Sequence, residues 1–166
     1  VFLVDDRSDD ETAHLARRVP GVTVVSASDT PPGWTGKLWA VSQGLAAAEE
    51  AGVPAEYFWL TDADIAHHPG ELASLVAGSE HSGLDLNSLM VRLRIDRLWD
   101  VLLIPAFVFF FQKLYPFSWV NDPARKTAAA AGGSMLVRKS ALARIGGIDV
   151  IAGELIVDCA LAHRIK

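Results

Sequence analysis

The stretch EYFWLTDADI, residues 56–65, decides how the chain is read. It opens as a short apolar run rich in β-prone aromatics, which is the pattern of a buried strand. Two aspartates, Asp62 and Asp64, follow at once with no turn residue between. A strand continuing through them points both carboxylates the same way from its carboxyl end. Carboxylates so placed repel each other unless a cation sits between them.

Working outward, the same alternation recurs on both sides. Strand-like runs stand at VFLV before Asp5, VTVVSAS from Val22, LDLNSLMV from Leu84 and GSMLVRKS from Gly133. Helical patterns separate them: DDETAHLARRV, KLWAVSQGLAAAEEAG ending on Gly52 as a C-cap, and HPGELASLVAG. Strands alternating with helices predict an α/β fold with a mostly parallel sheet. In such sheets ligands bind beyond the carboxyl ends of the strands, where Asp5, Asp6, Asp62 and Asp64 all fall.

The 166 residues suit one domain with a real core. The chain starts at Val1 directly in an apolar run, which reads as a fragment whose natural start lies upstream. A formal charge of −5 and a pI near 5.4 argue against general nucleic-acid binding. The lone cysteine, Cys159, allows no internal disulfide and fits a reducing cytoplasm.

A hydrophobic content of 51% and a mean hydropathy of +0.25 point to a membrane contact. The segment LWDVLLIPAFVFFFQKLYPFSWV, residues 98–120, is long enough to cross a bilayer. Asp100, Gln112 and Lys113 interrupt it, and Pro105 and Pro116 are expected to break a simple helix. An interfacial or re-entrant element within the single domain is the reading. Residues 92–126 hold six Lys or Arg against three Asp, net +3, leaving −8 for the rest. A basic collar around aromatics suits an anionic lipid surface; a buried core helix with its loop is the alternative.

Four elements carry candidate chemistry. Asp62 and Asp64 are hard oxygen ligands suited to Mg²⁺ or Mn²⁺, and a divalent ion with open positions can hold a diphosphate; the alternative is a strand end that caps the next helix. Asp5 and Asp6 can accept hydrogen bonds from a nucleobase or ribose, while Ser8 or Asp9 would cap the helix that follows. In PPGWTGKLWA, residues 31–40, Lys37 offers a cation for phosphate and Trp34 a flat face for a ring. Asp158 lies among Ile156, Val157, Cys159 and Ala160. Burial there would raise its pKa and make it a general base, and a helix cap or solvent-facing acid is the other reading. His67, His68 and His163 do not match zinc-ligand spacing and read as loop or remote residues.

Together VDDRSDDET, GWTGKLWA, LTDADI, AAAAGGSMLVRKSALARIGGI and VDCALA resemble a family 2 glycosyltransferase of the GT-A type, in order and over nearly the whole chain. PPGWTGKLWA with LIPAFVFFFQKLYPFSWVND further resembles the hopene-associated branch, membrane-bound enzymes presumed to glycosylate a lipid. The resemblance implies a Rossmann-like sheet flanked by helices, a nucleotide-sugar donor and a lipid acceptor at the cytoplasmic face of the membrane. It assigns Asp5 and Asp6 to the base and ribose, Lys37 to the nucleotide, and Asp62 with Asp64 to the metal, Asp64 more directly. It assigns Asp158 to deprotonating the acceptor hydroxyl in inverting transfer, and Gly132–Met135 to the acceptor side. Two departures stand out: Val157 replaces the first of an expected acidic pair, and the family's first strand is missing. A nucleotidyltransferase and a non-catalytic membrane-associated scaffold of the same fold are the rival readings.

Overall fold

The computed structural model describes residues 1–166, which divide into two compact units. The first comprises Val1–Glu56 and Gly146–Val157. Its strands β1 (Phe2–Asp5) and β2 (Thr23–Ser26) pair in parallel, with Phe2 opposite Thr23 and Asp5 opposite Ser26. Helix α1 (Thr12–Arg17) connects them. Its start lies later than the sequence suggests. Neither Ser8 nor Asp9 caps it: the acid that accepts from a first-turn N–H is Asp10, bonded to Thr12 N at 2.9 Å.

Helix α2 (Gly36–Glu50) is long because its sequence, GKLWAVSQGLAAAEE, is dominated by strong helix formers. It ends where expected, with Gly52 at φ +63°, a left-handed conformation that glycine adopts without a Cβ clash. The helix packs on β1 and on a 3₁₀ turn at Ile148–Ile151, and Leu38 and Ile151 are fully buried in this unit.

The second unit comprises Tyr57–Ile145 and Asp158–Lys166. Strands β3 (Tyr57–Thr61), β4 (Leu86–Ser88) and β5 (Ser134–Arg138) form a sheet in the order β3-β5-β4. Both outer strands are antiparallel to β5, so β3 and β4 are parallel to each other. Helix α3 (Glu71–Ser82) makes their crossover. The expectation of a mostly parallel sheet is therefore corrected. Only β1 and β2 pair in parallel, because β5 enters from the far end of a long insertion and takes the slot between β3 and β4. As the central strand it is buried from Ser134 to Val137, which suits its apolar run.

Helix α4 (Leu98–Leu114) and the short α5 (Phe117–Val120) occupy that insertion, and α6 (Lys139–Arg144) and α7 (Val157–Ile165) complete the fold. Pro105 does not break α4, contrary to the sequence expectation; the break falls between Leu114 and Phe117, at Pro116. A proline costs a helix one internal hydrogen bond, and the apolar turns on either side carry the helix through it. Asp100 opens the helix: its carboxylate accepts from the N–H groups of Arg97 at 2.9 Å and Asp96 at 3.1 Å.

Candidate functional site

In the first unit, the acidic pair leaves β1 where the alternation places it. Asp5 is buried and its Oδ1 accepts from Ser8 N at 3.4 Å, so this carboxylate shapes the turn that follows the strand. Asp6 is exposed, and its Oδ2 lies 3.5 Å from the point a Cβ on Gly36 would occupy, at the start of α2. Lys37, exposed, is the next residue. Arg7 adopts φ +59°, unusual for a side-chain-bearing residue, and its guanidinium reaches Asp29 at 2.7 Å and Asp6 at 3.5 Å. Trp34 is half-buried and meets Trp39 edge-on, ring centroids 5.0 Å apart, while the Trp39 indole N–H donates to Ser28 O. Asp6, Lys37 and Trp34 thus gather around one helix start.

In the second unit, β3 stops at Thr61, one residue before the acidic motif. Asp62, Ala63 and Asp64 lie in a turn in which Ile65 N donates to Asp62 O at 3.4 Å. Strand alternation therefore does not orient the two carboxylates, and the sequence expectation that they share a direction through strand geometry is corrected. Asp62 is half-buried and Asp64 exposed.

The sheet then brings Asp158 to this turn from 96 positions away along the chain. Thr61 is opposite Ser134 in the β3–β5 register, and the Thr61 hydroxyl donates to Gly133 O at 3.0 Å. One residue on, Gly132 N donates to Asp158 Oδ2 at 2.9 Å. The Asp158 Oδ1 accepts from Cys159 N at 2.8 Å, but Asp158 lies inside the first turn of α7 and not at its N-cap, and it is half-buried, so neither a helix cap nor a solvent-facing acid describes it. The Gly132 bond ties this carboxylate to the turn opening β5. A Cβ on Gly132 would stand 3.1 Å from Asp158 Oδ2, so the close approach depends on glycine. Burial pushes the neighbouring Cys159 thiol up from its ordinary pKa, keeping it protonated.

Behind the acidic turn runs a polar network that sequence reading missed. His67 Nε2 contacts the Thr61 hydroxyl at 2.7 Å and its Nδ1 contacts Glu71 Oε1 at 2.9 Å. Glu71 Oε1 also accepts from the hydroxyl of Ser134, fully buried, at 2.9 Å, and that hydroxyl accepts from the Trp59 indole N–H at 3.0 Å. The Ser134 hydrogen bond above all, then the His67 contact, holds the Glu71 carboxyl below its ordinary pKa. The Trp59 and His67 rings lie 4.3 Å apart. The available signal was only that His67 stands four residues before Glu71, in the loop leading into α3; Ser134 could be found only through strand pairing. His68 bonds locally to Gly70 N, and no group of three or more His, Cys, Asp or Glu gathers as a metal cluster.

The chain is thus an α/β domain in which acidic turns follow the carboxyl ends of β1 and β3. Residues 1–146 match the model of glycosyl transferase family 2, and the chain belongs to that family. Its general reaction is glycosyl transfer, which uses a nucleotide-sugar donor and an acceptor. Searches of curated proteins and of solved structures returned no match.

Proposed function

We propose that the chain transfers a sugar, with inversion, from a nucleotide-sugar donor to a hydroxyl of a hopanoid-related lipid at the cytoplasmic face of a membrane. The observation that carries this reading is the contact chain Thr61, Gly133, Gly132, Asp158, which sets the acidic turn after β3 beside a fixed carboxylate. Donor-side acids and an acceptor-side base are what a single displacement requires.

Asp158 Oδ1 and Oδ2 each accept one backbone hydrogen bond, which leaves lone pairs for a proton. In the proposed step Asp158 takes the proton of the acceptor hydroxyl as that oxygen bonds to the anomeric carbon. The bond from this carbon to the diphosphate oxygen breaks on the opposite face, inverting the centre. Asp5 and Asp6 accept from the base and ribose, Lys37 faces phosphate and Trp34 packs against a ring. Two carboxylates on an open turn fit Mg²⁺ or Mn²⁺ completed by diphosphate oxygens and water, with Asp64, the more exposed, as the more direct ligand. Such an ion supplies positive charge to the leaving diphosphate. The lipid acceptor is supported by the exposed apolar α4 and by the resemblance of residues 31–40 and 103–122 to the hopene-associated branch.

Titration with UDP and GDP, with and without Mn²⁺, tests the donor side. Metal-dependent binding that Asp64→Ala abolishes is the expected result. Binding that ignores both metal and variant refutes the metal role; no nucleotide binding at all refutes the donor assignment.

A further inference from the structure

The insertion between β4 and β5 presents a broad apolar surface. Along α4 the half-buried positions are Asp100, Ile104, Val108, Phe111 and Tyr115, whose spacing of three and four marks one face. Away from that face Leu102, Leu103, Phe109 and Phe110 are 62%, 61%, 55% and 64% exposed. Cations accompany the aromatics: Lys113 lies over Phe109 at 5.5 Å and Arg125 over Trp119 at 4.6 Å. Apolar side chains edged by cations complement an anionic lipid surface.

The strands decide how such a segment can meet a bilayer. Ser88, the last residue of β4, is opposite Met135 of β5, and Leu89 N donates to Ser134 O at 3.0 Å. The insertion therefore leaves and re-enters the sheet at one point, so its two ends lie on the same side of any membrane. One crossing by α4 would put the two ends on opposite sides. A second crossing would have to use residues 115–133, which include Asn121, Asp122, Arg125 and Lys126 and lack the ~20 apolar residues a span needs. The end of α5 is also tied down, since Lys166 Nζ donates to Val120 O at 2.6 Å and Thr127 O at 2.8 Å. Helix α4 itself has 17 residues, about 25 Å at ~1.5 Å each, against a hydrocarbon core of ~30 Å.

We propose that residues 89–133 seat this chain in one leaflet of an anionic membrane without crossing it. The proposal rests on the membrane reading above and adds its topology. Because the insertion returns to the Gly132–Gly133 turn that binds Asp158, an amphiphilic acceptor would come from that same leaflet.

The test adds the full chain from outside to sealed vesicles of phosphatidylcholine alone or mixed with phosphatidylglycerol. Single cysteines are placed at Arg92→Cys, Phe109→Cys or Lys126→Cys in a Cys159→Ala background and probed with an impermeant maleimide. The expected result is flotation with the mixed vesicles only, labelling at positions 92 and 126, and protection at 109. In the unmodified background, Arg125→Ala and Lys126→Ala each weaken partitioning about fivefold. Leu102→Asp with Phe110→Asp, both exposed in the free chain, abolishes flotation while circular dichroism stays unchanged. Protection of one flank overturns the one-leaflet topology but keeps the membrane reading. Equal flotation with neutral vesicles overturns the anionic assignment. Absence of flotation overturns the membrane reading itself, and a concentration-dependent dimer would then identify a second copy as the cover of α4.

Discussion

Ser134→Ala probes the network that supports the acidic turn. The wild-type hydroxyl is fully buried, donates to Glu71 and accepts from the Trp59 indole N–H. Alanine removes one small polar group and leaves the Trp59 donor without that acceptor. Trp59 is half-buried, and a donor so stranded beside the fully buried Ser134 site costs up to about 1–3 kcal/mol; for a chain of this length each kcal/mol lowers Tm by about 2–4 °C. The loss has a pH signature. Glu71 is lowered chiefly by the Ser134 bond, so its stabilisation is present above the ordinary glutamate range and is lost as pH falls through the depressed folded value. Ser134→Ala returns the folded pKa toward its ordinary value, and the penalty is therefore larger at neutral pH than in acid. Urea denaturation followed by circular dichroism, at neutral pH and again below the carboxylate range, measures both quantities. In a Trp59→Phe background, which lacks the indole N–H, the neutral-pH penalty should shrink. A neutral-pH cost below about 0.5 kcal/mol, or a penalty unchanged by pH and by Trp59→Phe, would refute the reasoning.

Asp158→Asn keeps an acceptor for Cys159 N but loses the proton acceptor, so kcat should fall by about 10²–10⁴ with the far-ultraviolet spectrum unchanged; wild-type turnover would exclude Asp158 as the base. Gly132→Ala sets a Cβ 3.1 Å from Asp158 Oδ2, and steady-state kinetics should show lower kcat with nucleotide binding retained. Gly44→Ala tests packing against propensity in α2. The helix would gain about 0.8–1.0 kcal/mol from propensity, but the new Cβ falls 2.9 Å from Val4 Cγ2, and overpacking costs about 1–3 kcal/mol. The expected sign is destabilisation by thermal melting, and a gain would show that Val4 yields.

All five strands and helices α1, α2 and α3 were legible in the sequence, because local periodicity and chain punctuation mark them, although the end of β3 at Thr61 and the unbroken run of α4 through Pro105 were not. Glycine at position 52 stops α2 as its lack of a Cβ allows. The acids at strand ends were legible for the same reason: Asp5 and Asp62 stand where an apolar run gives way to a polar turn. Strand pairing was not legible, since the alternation of strands and helices carries no information about which strand enters which slot. The antiparallel entry of β5 between β3 and β4 is a tertiary outcome, and it alone puts Ser134 beside Thr61 and Gly132 against Asp158. It also builds the His67, Glu71 and Ser134 network from residues that are far apart or unremarkable along the chain. The apolar character of α4 is written in its composition; that the insertion carrying it leaves and re-enters the sheet at one point follows only from the hydrogen-bonded pairing of β4 with β5.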